Sequence, residues 1–284
     1  MSLCLIGLGS NLGDRRSNLD AAVKRFDSLK GVSVEAVSHW IGTEPIGGPE
    51  GQGGFLNGAA VLEASLEPEE LLRRLRGIET DLGRERRIRW DARTLDVDIL
   101  LFDDRIMESH ELSIPHPRMI CRRFVLEPAA EIASEWRHPI LKWTVGQLFE
   151  HLDTTPPHFV LCGFERLGLR QLAEKIVARS GGKVLAPDLP AESHICSDHN
   201  AGATLESANQ IKCFESAEEF ADIAGWSPKL FIVPIRVGSV REQQAAVCLR
   251  DALIQLQIAP VLTITADDPR TVITESVAAI EAMR

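Results

Sequence analysis

The chain has 284 residues and a formal net charge of −10. That length favours two domains over one, and the acidic balance argues against a general nucleic-acid binder. With 44% hydrophobic and 25% charged residues the composition is that of a well-cored globular protein, and no apolar run reaches the roughly 18 residues that a membrane helix needs.

The opening residues, MSLCLIGLGS, carry no basic segment and turn glycine-rich at once, unlike a signal peptide. The six cysteines (Cys4, Cys121, Cys162, Cys196, Cys213 and Cys248) have no paired spacing. They are expected to be reduced thiols in the cytoplasm. Leu3–Leu8 reads as a strand. A helix follows from about Arg15 to Leu29, with Leu19, Val23 and Phe26 on its apolar face and Asn11 or Asp14 as its cap. VSVEAVSHWIG alternates as one strand, and GGFLNGAAVLEA is the next. EPEELLRRLRGIETDLG is an amphipathic helix with Pro68 near its start and Gly83 past its end. RWDARTLDVDILLF closes the series as a strand. The order β-α-β-β-α-β predicts an α+β, ferredoxin-like N-terminal domain.

LDTTPPHF, Leu152–Phe159, breaks the hydrophobic pattern with two prolines. It divides the chain near Thr155 into domains of residues 1–154 and 155–284. Beyond it come a strand (FVLCGF), a helix (LRQLAEKIVARSGG), a long irregular span, a strand (KLFIVPIRV), a helix, a strand (PVLTI) and a helix. This alternation predicts an α/β domain with a parallel sheet.

Two aspartates interrupt the apolar strand. Side chains alternate along a strand, so Asp96 and Asp98 share a face about 7 Å apart, while Leu95, Val97 and Ile99 face the core. Adjacent carboxylates repel unless a cation attends them. Mg²⁺ suits such a pair, with substrate phosphates completing its shell. A solvated acidic face on an edge strand is the plain alternative. The approach to the strand holds Arg84, Arg86, Arg87, Arg89 and Arg93 and no lysine. Guanidinium forks match phosphate oxygens, so the pattern points to phosphoryl transfer by positioning and charge neutralisation. SIPHPRMICRRF adds His116, Arg118, Arg122 and Arg123. His116 lies on a proline-stiffened loop, either at the surface or against a phosphate. IGTEPIGGPEGQGGFLNGAAV holds seven glycines, more than ordinary strands carry. Within it, Asn57 needs partners for a buried amide: a planar heterocycle or the backbone.

LIGLGSNLGD, FLNGAAVLE, RWDARTLDVDILLF and SIPHPRM…RRFVLEP resemble the 6-hydroxymethyl-7,8-dihydropterin pyrophosphokinases of folate biosynthesis over roughly Leu3 to Leu152. The resemblance implies a ferredoxin-like fold. It implies transfer of the terminal pyrophosphate of ATP to the pterin hydroxymethyl group with release of AMP, and Mg²⁺ ions bridging the aspartate pair and the triphosphate. By motif position, Asp96 and Asp98 are metal ligands. Arg84, Arg86 and Arg93 act with them in catalysis. Glu79, Trp90, Arg93, His116 and Arg122 face the nucleotide. Thr43, Ile46, Phe55, Asn57, Trp90 and Phe124 form the pterin pocket, with the two phenylalanines sandwiching the ring. Three positions depart from the family pattern: Phe55 replaces a common Tyr, Pro117 a common aromatic, and Glu44 a usual proline. The arginine loop is one residue short. A pterin-binding module without turnover is the competing reading. GLGSNLG also resembles a dinucleotide fingerprint, though Leu12 stands where its third glycine belongs, so a nicotinamide oxidoreductase is a more remote alternative.

In the second half, HFVLCGFERLGLRQLAEKI has the rhythm of a phosphate-binding loop, with Gly163 and Gly168 framing it. Leu169 and Arg170 stand where that loop needs Lys and Ser or Thr. The tail PVLTITADDPRTVITESVAAIEAM resembles the end of P-loop deoxynucleoside kinases. Together these imply a degenerate kinase-like domain that serves as a scaffold, a homodimer contact or a nucleotide sensor. His194, Cys196 and His199, with Cys213, are a weak Zn²⁺ candidate beside the alternative of a polar loop.

Overall fold

The computed structural model describes residues 1–46, 51–84, 92–162, 168–184, 210–214, 228–236, 240–256, 259–266 and 268–283. The chain divides into two compact units, Met1–Glu150 and His151–Arg284. No helix among the described residues is long and apolar enough to cross a membrane.

The first unit runs β1 (Ser2–Ser10), α1 (Arg15–Asp27), β2 (Val32–Val37), β3 (Ile41–Thr43), β4 (Phe55–Ala64), α2 (Pro68–Asp81) and β5 (Asp96–Phe102). The sheet order is β2-β4-β1-β5, every pair antiparallel, with β3 added beside β4. This is the predicted β-α-β-β-α-β path with one strand split in two. The split lies at Ser38–Trp40. Ser38 N–H donates to the Ala59 carbonyl, and its hydroxyl accepts from the Ala59 N–H at 2.9 Å. Trp40 then turns over β4, donating its indole N–H to Asp20 at 2.9 Å. It can do so because position 58 is glycine, where any β-carbon would overlap the Trp40 ring.

Both helices lie on one face of the sheet. Leu19, Ala22 and Phe26 of α1 and Leu71, Leu72, Leu75 and Ile78 of α2 pack with Ile6, Leu8, Ala60, Leu62, Val97 and Ile99 in a single core. These are the 3.6-residue and 2-residue apolar periods of the sequence meeting each other. Asp14, not Asn11, caps α1, accepting from the Ser17 N–H at 3.0 Å. Gly83, at φ +84°, ends α2 in the left-handed region that favours glycine.

After β5 come the short strands β6 (Met107–Glu108) and β7 (Ser113–Ile114), a cis Ile114–Pro115 peptide, a 3₁₀ turn at Met119–Cys121, α3 (Arg123–Ala133) and α4 (Val145–Thr154). Neither α3 nor α4 is among the predicted elements. Pro128 sits inside α3, where proline normally breaks a helix. Burial of Val125, Leu126, Pro128, Ala129 and Ala133 offsets that cost, and α3 packs against β4 and β3.

The second unit contains β8 (His158–Cys162), α5 (Leu169–Ser180), β9 (Lys183–Val184), β10 (Gln210–Phe214), β11 (Leu230–Arg236), α6 (Val240–Leu256), β12 (Val261–Ala266) and α7 (Pro269–Ala282). Its sheet is wholly parallel, in the order β12-β11-β8-β10-β9. Phe159–Cys162 and Leu230–Val233 are buried without alternation, as a parallel sheet covered on both faces requires. The path from β8 through α5 to β9 and the path from β11 through α6 to β12 leave in opposite directions. Right-handed crossovers therefore put α5 and α6 on opposite faces. The span expected to be irregular contains β10, a strand too short and polar to stand out. Gly163 and the histidine–cysteine cluster His194, Cys196 and His199 lie outside the described residues.

His138 is buried in the Trp136–Thr144 turn, 5% exposed. Its Nδ1 accepts from the Leu141 N–H at 3.1 Å. Burial pushes its pKa down from 6.5 to about 4. Between those values the unfolded chain binds the proton and the folded one does not. The His138 contribution is therefore complete above pH 6.5 and declines as the pH falls towards about 4, by about 3 kcal/mol in all. Urea denaturation over this range should show that decline, and His138→Asn, which keeps an acceptor without the titration, should flatten it.

Candidate active site

The site begins with the register of β1. Gly7 stands opposite Asp98 on β5 and Ala59 on β4, and Gly9 stands opposite Asp96 and Asn57. Residues directly opposite share a face. Asn57, Gly9 and Asp96 thus form one row across three strands, on the face turned away from α1 and α2. Two strand spacings separate Asn57 from Asp96, about 10 Å. Between them β1 presents only hydrogens. A β-carbon at Gly9 would sit 2.9 Å from Asn57 Oδ1. These glycines are therefore a floor within a strand, not a phosphate-binding turn before a helix, and the dinucleotide-fingerprint alternative fails on that point.

On the β4 side, Asn57 is 5% exposed and its Nδ2 donates to Thr43 Oγ1 at 2.7 Å. Thr43 pairs with Phe55 across β3 and β4, and Ile46 follows β3, half-buried. Phe124 lies in the first turn of α3, which packs on these same strands, and Arg122 stacks on its ring at 5.6 Å. The five predicted pocket residues in the described chain thus belong to elements that pack together. The sixth, Trp90, lies outside the described residues, as does Arg86.

On the β5 side, Val97 and Ile99 are core residues while Asp96 and Asp98 face outward. Asp96 is not a solvated surface carboxylate. Its Oδ1 lies 2.7 Å from Arg84 Nη1 and its Oδ2 2.7 Å from Arg93 Nη1. Arg84 also pairs with Glu79, which is 2% exposed and accepts from the Val97 N–H at 2.8 Å. Glu79 therefore ties α2, Arg84 and the start of β5 together. Asp98 is more open, with His116 Nε2 at 3.8 Å and Arg122 Nη1 at 4.0 Å from its Oδ2.

Burial opposes the Asp98 charge, but His116, Arg122, Arg84 and Arg93 outweigh it and hold its pKa below the usual aspartate value. Burial also lowers the His116 pKa, against the pull of Asp98 and with the added push of Arg122 and Arg118. His116 is then a neutral imidazole at pH 7. Its Nδ1 accepts from the Arg118 N–H at 3.2 Å, which leaves the proton on Nε2, the nitrogen facing Asp98.

Two contributors were not recognisable as site residues from sequence. One is the Gly7–Gly9 floor, whose signal was the alternation of glycine with Ile6 and Leu8. The other is Asn11. Its Oδ1 accepts from the Arg93 N–H at 2.8 Å, its own N–H donates to the Arg93 carbonyl at 3.1 Å, and its Nδ2 donates to Gln52 at 3.2 Å. It pins the arginine approach to the glycine-rich loop.

A face that lines up carboxylates, guanidinium groups and an amide pocket, with glycine between them, is the kind a phosphoryl-transfer enzyme uses: the carboxylates suit a hard cation and the guanidinium groups suit phosphate oxygens. Sequence comparison narrows the class. The 7,8-dihydro-6-hydroxymethylpterin-pyrophosphokinase profile matches residues 5–134. The 2-amino-4-hydroxy-6-hydroxymethyldihydropteridine pyrophosphokinase of Synechocystis sp. is 41% identical over 161 residues, 57% of this chain and 82% of that one. The enzyme of the same name from Bacillus subtilis is 46% identical over 134 residues, 47% and 80% of the two chains. That from Haemophilus influenzae is 38% identical over 154 residues, 53% and 96%. The chain belongs to the 7,8-dihydro-6-hydroxymethylpterin-pyrophosphokinase family.

Gly9→Ala should push a methyl group into the Asn57 amide and weaken its bond to Thr43, a net destabilisation of about 1–3 kcal/mol. At Gly7 the added methyl meets Leu100 at an ordinary 3.5 Å. Gly7→Ala should therefore be near neutral, because lost freedom in the unfolded chain offsets the small packing change. Urea midpoints of the two variants check the contrast.

Proposed function

We infer that the chain transfers the terminal pyrophosphate of ATP to the hydroxymethyl group of 6-hydroxymethyl-7,8-dihydropterin. The pterin hydroxyl oxygen loses its proton and bonds to the β-phosphorus, the bond from that phosphorus to the α–β bridging oxygen breaks, and AMP leaves with that oxygen. The product, the pterin diphosphate, belongs to folate biosynthesis. The observation that carries this reading is the row Asn57–Gly9–Asp96. On this reading the pocket for the planar heterocycle would lie about two strand spacings, roughly 10 Å, from the carboxylate pair.

Asn57 and Thr43 would read the edge of the pterin, with Phe55 and Phe124 on its faces and Ile46 beside it. Asp96 and Asp98 would hold Mg²⁺. The donor set fits: it is two hard oxygen groups on one face of β5. Mg²⁺ is commonly bound in that way, with phosphate oxygens and water completing its shell. When bound it neutralises and aligns the polyphosphate. Arg84, Arg93 and Arg122 supply fixed positive charge where phosphate charge develops. His116 offers an uncharged Nε2–H donor. Glu79, being covered, acts by holding Arg84 in place. Arg86 and Trp90 are assigned to closure over the substrates on the resemblance of their motif alone.

For the second unit we favour a P-loop kinase architecture without phosphate chemistry. In support, β8 lies where the sheet's connections diverge, the usual position of a ligand crevice. The Gly163–Gly168 segment follows its carboxyl end, and Gly168, at φ +58°, leads into α5. Leu169 is fully buried, and Arg170 pairs with Glu174 of its own helix at 3.5 Å. Neither replaces the phosphate lysine or the magnesium hydroxyl. The unit then serves as a scaffold, a dimer contact included. The buried thiols Cys4, Cys121 and Cys162 suit a reducing cytoplasm.

Incubation with ATP, Mg²⁺ and the hydroxymethyl dihydropterin should yield AMP and pterin diphosphate by chromatography; ADP as product would overturn the assignment. Asp96→Asn and Asp98→Asn should each lower kcat by about 100-fold or more while the melting temperature changes little. In the Asp96→Asn full chain, phosphate release from ATP and phosphorylation of deoxynucleosides should both be undetectable. Turnover there would mean that the second unit is a working kinase.

A further inference from the structure

Asn11 joins two segments that, on the reading above, serve different substrates. It stands directly after β1, two residues beyond Gly9, and is 7% exposed. Its amide oxygen accepts from the Arg93 N–H at 2.8 Å, and its own N–H donates to the Arg93 carbonyl at 3.1 Å. These bonds carry the β1–β5 pairing past its last registered pair, Gly9 with Asp96, into the arginine approach. Its amide nitrogen donates to Gln52 Oε1 at 3.2 Å. Gln52 lies in the glycine-rich segment that runs into Phe55. The two ends of one buried amide thus connect segments 82 and 41 residues away in the chain.

The turn that carries Asn11 is itself held. Asn18 of α1 donates from Nδ2 to the Leu12 carbonyl at 2.9 Å, and Asp14 caps the same helix. Arg15 Nη1 donates to the Gly54 carbonyl at 2.6 Å, a second tie between this turn and the glycine-rich segment. Residues 11–14 therefore form a frame with the pterin side on one flank: Gly54 is next to Phe55, whose partner across β3 and β4 is Thr43. On the other flank, Arg93 Nη1 lies 2.7 Å from Asp96 Oδ2. Reacting groups carried on separate segments need a common reference, because a misplacement of about 1 Å costs on the order of 100-fold in rate.

We propose that Asn11 is a positioning residue for the transfer, setting the pterin pocket and the arginine approach at a fixed separation. It acts through the Arg93 backbone and through Gln52, without touching either substrate. The proposal rests on the pterin and nucleotide sides assigned above. A purely structural Asn11 would differ in its effect: its loss would lower the melting temperature and the amount of active enzyme and leave KM unchanged.

The test is steady-state kinetics of the full chain with ATP, Mg²⁺ and the hydroxymethyl dihydropterin, at a temperature where circular dichroism shows each variant folded. Gln52→Met cuts the link to the glycine-rich segment and leaves the link to Arg93. It should raise the KM for the pterin about fivefold, with kcat and the KM for ATP changed by less than about twofold. Gln52→Glu, whose carboxylate still accepts from the Asn11 amide, should return the pterin KM to within about twofold of wild type. Asn11→Ala cuts both side-chain links. It should raise the pterin KM and also lower kcat by about tenfold or more. In the double variant the rise in pterin KM should fall short of the product of the two single effects by about threefold or more, as it does for residues that act as a unit. Multiplicative effects in the double variant, or an Asn11→Ala enzyme with wild-type KM and a kcat that only tracks its folded fraction, would overturn the positioning role. If the wild type forms no AMP from these substrates, the functional assignment itself falls, and the proposal with it.

Discussion

The antiparallel pairing of β1 on both of its edges is the constraint from which the rest of the first unit follows. Each residue of β1 has a fixed partner on β4 and another on β5, so a shift of one residue would turn every side chain to the opposite face. In the observed register, Ile6 and Leu8 join the core under α1 and α2, while Gly7 and Gly9 open the other face. The same pairings that bury the apolar half of the strand set Asn57 and Asp96 at the two ends of one row.

That row would be of little use without the charges around it. Asp96 and Asp98 are tolerated beside an apolar core because Arg84, Arg93, Arg122 and His116 converge on them from separate segments. Glu79 is the least conspicuous member and the most buried. It joins α2 to the β5 backbone and gives Arg84 a reason to stay. Asn11 does the corresponding work for Arg93, using hydrogen bonds in place of charge.

The second unit follows a different logic. β8 and β11 are buried on both faces, so their sequences carry no alternation. At the start of α5, Leu169 is buried and Arg170 pairs with Glu174 of the same helix. The layered α/β architecture does not depend on those side chains.

Sequence alone determined the class of each unit, the helices α1, α2 and α5, and the outward pairing of Asp96 with Asp98. These follow from local periodicity, which is set by backbone geometry and needs no distant partner. The motif resemblance also pointed to Thr43, Phe55, Asn57 and Phe124 as one pocket. Tertiary structure decided what local pattern cannot express. It opened the break at Ser38–Trp40, because Trp40 needs the space over Gly58. It carried α3 past Pro128, because that face is buried against β4. It turned a misleading glycine motif into the floor of the site and gave Asn11 to Arg93 in place of the helix cap. In each case the deciding contact joins residues far apart in the chain, and the free energy of such contacts is absent from any short window of sequence.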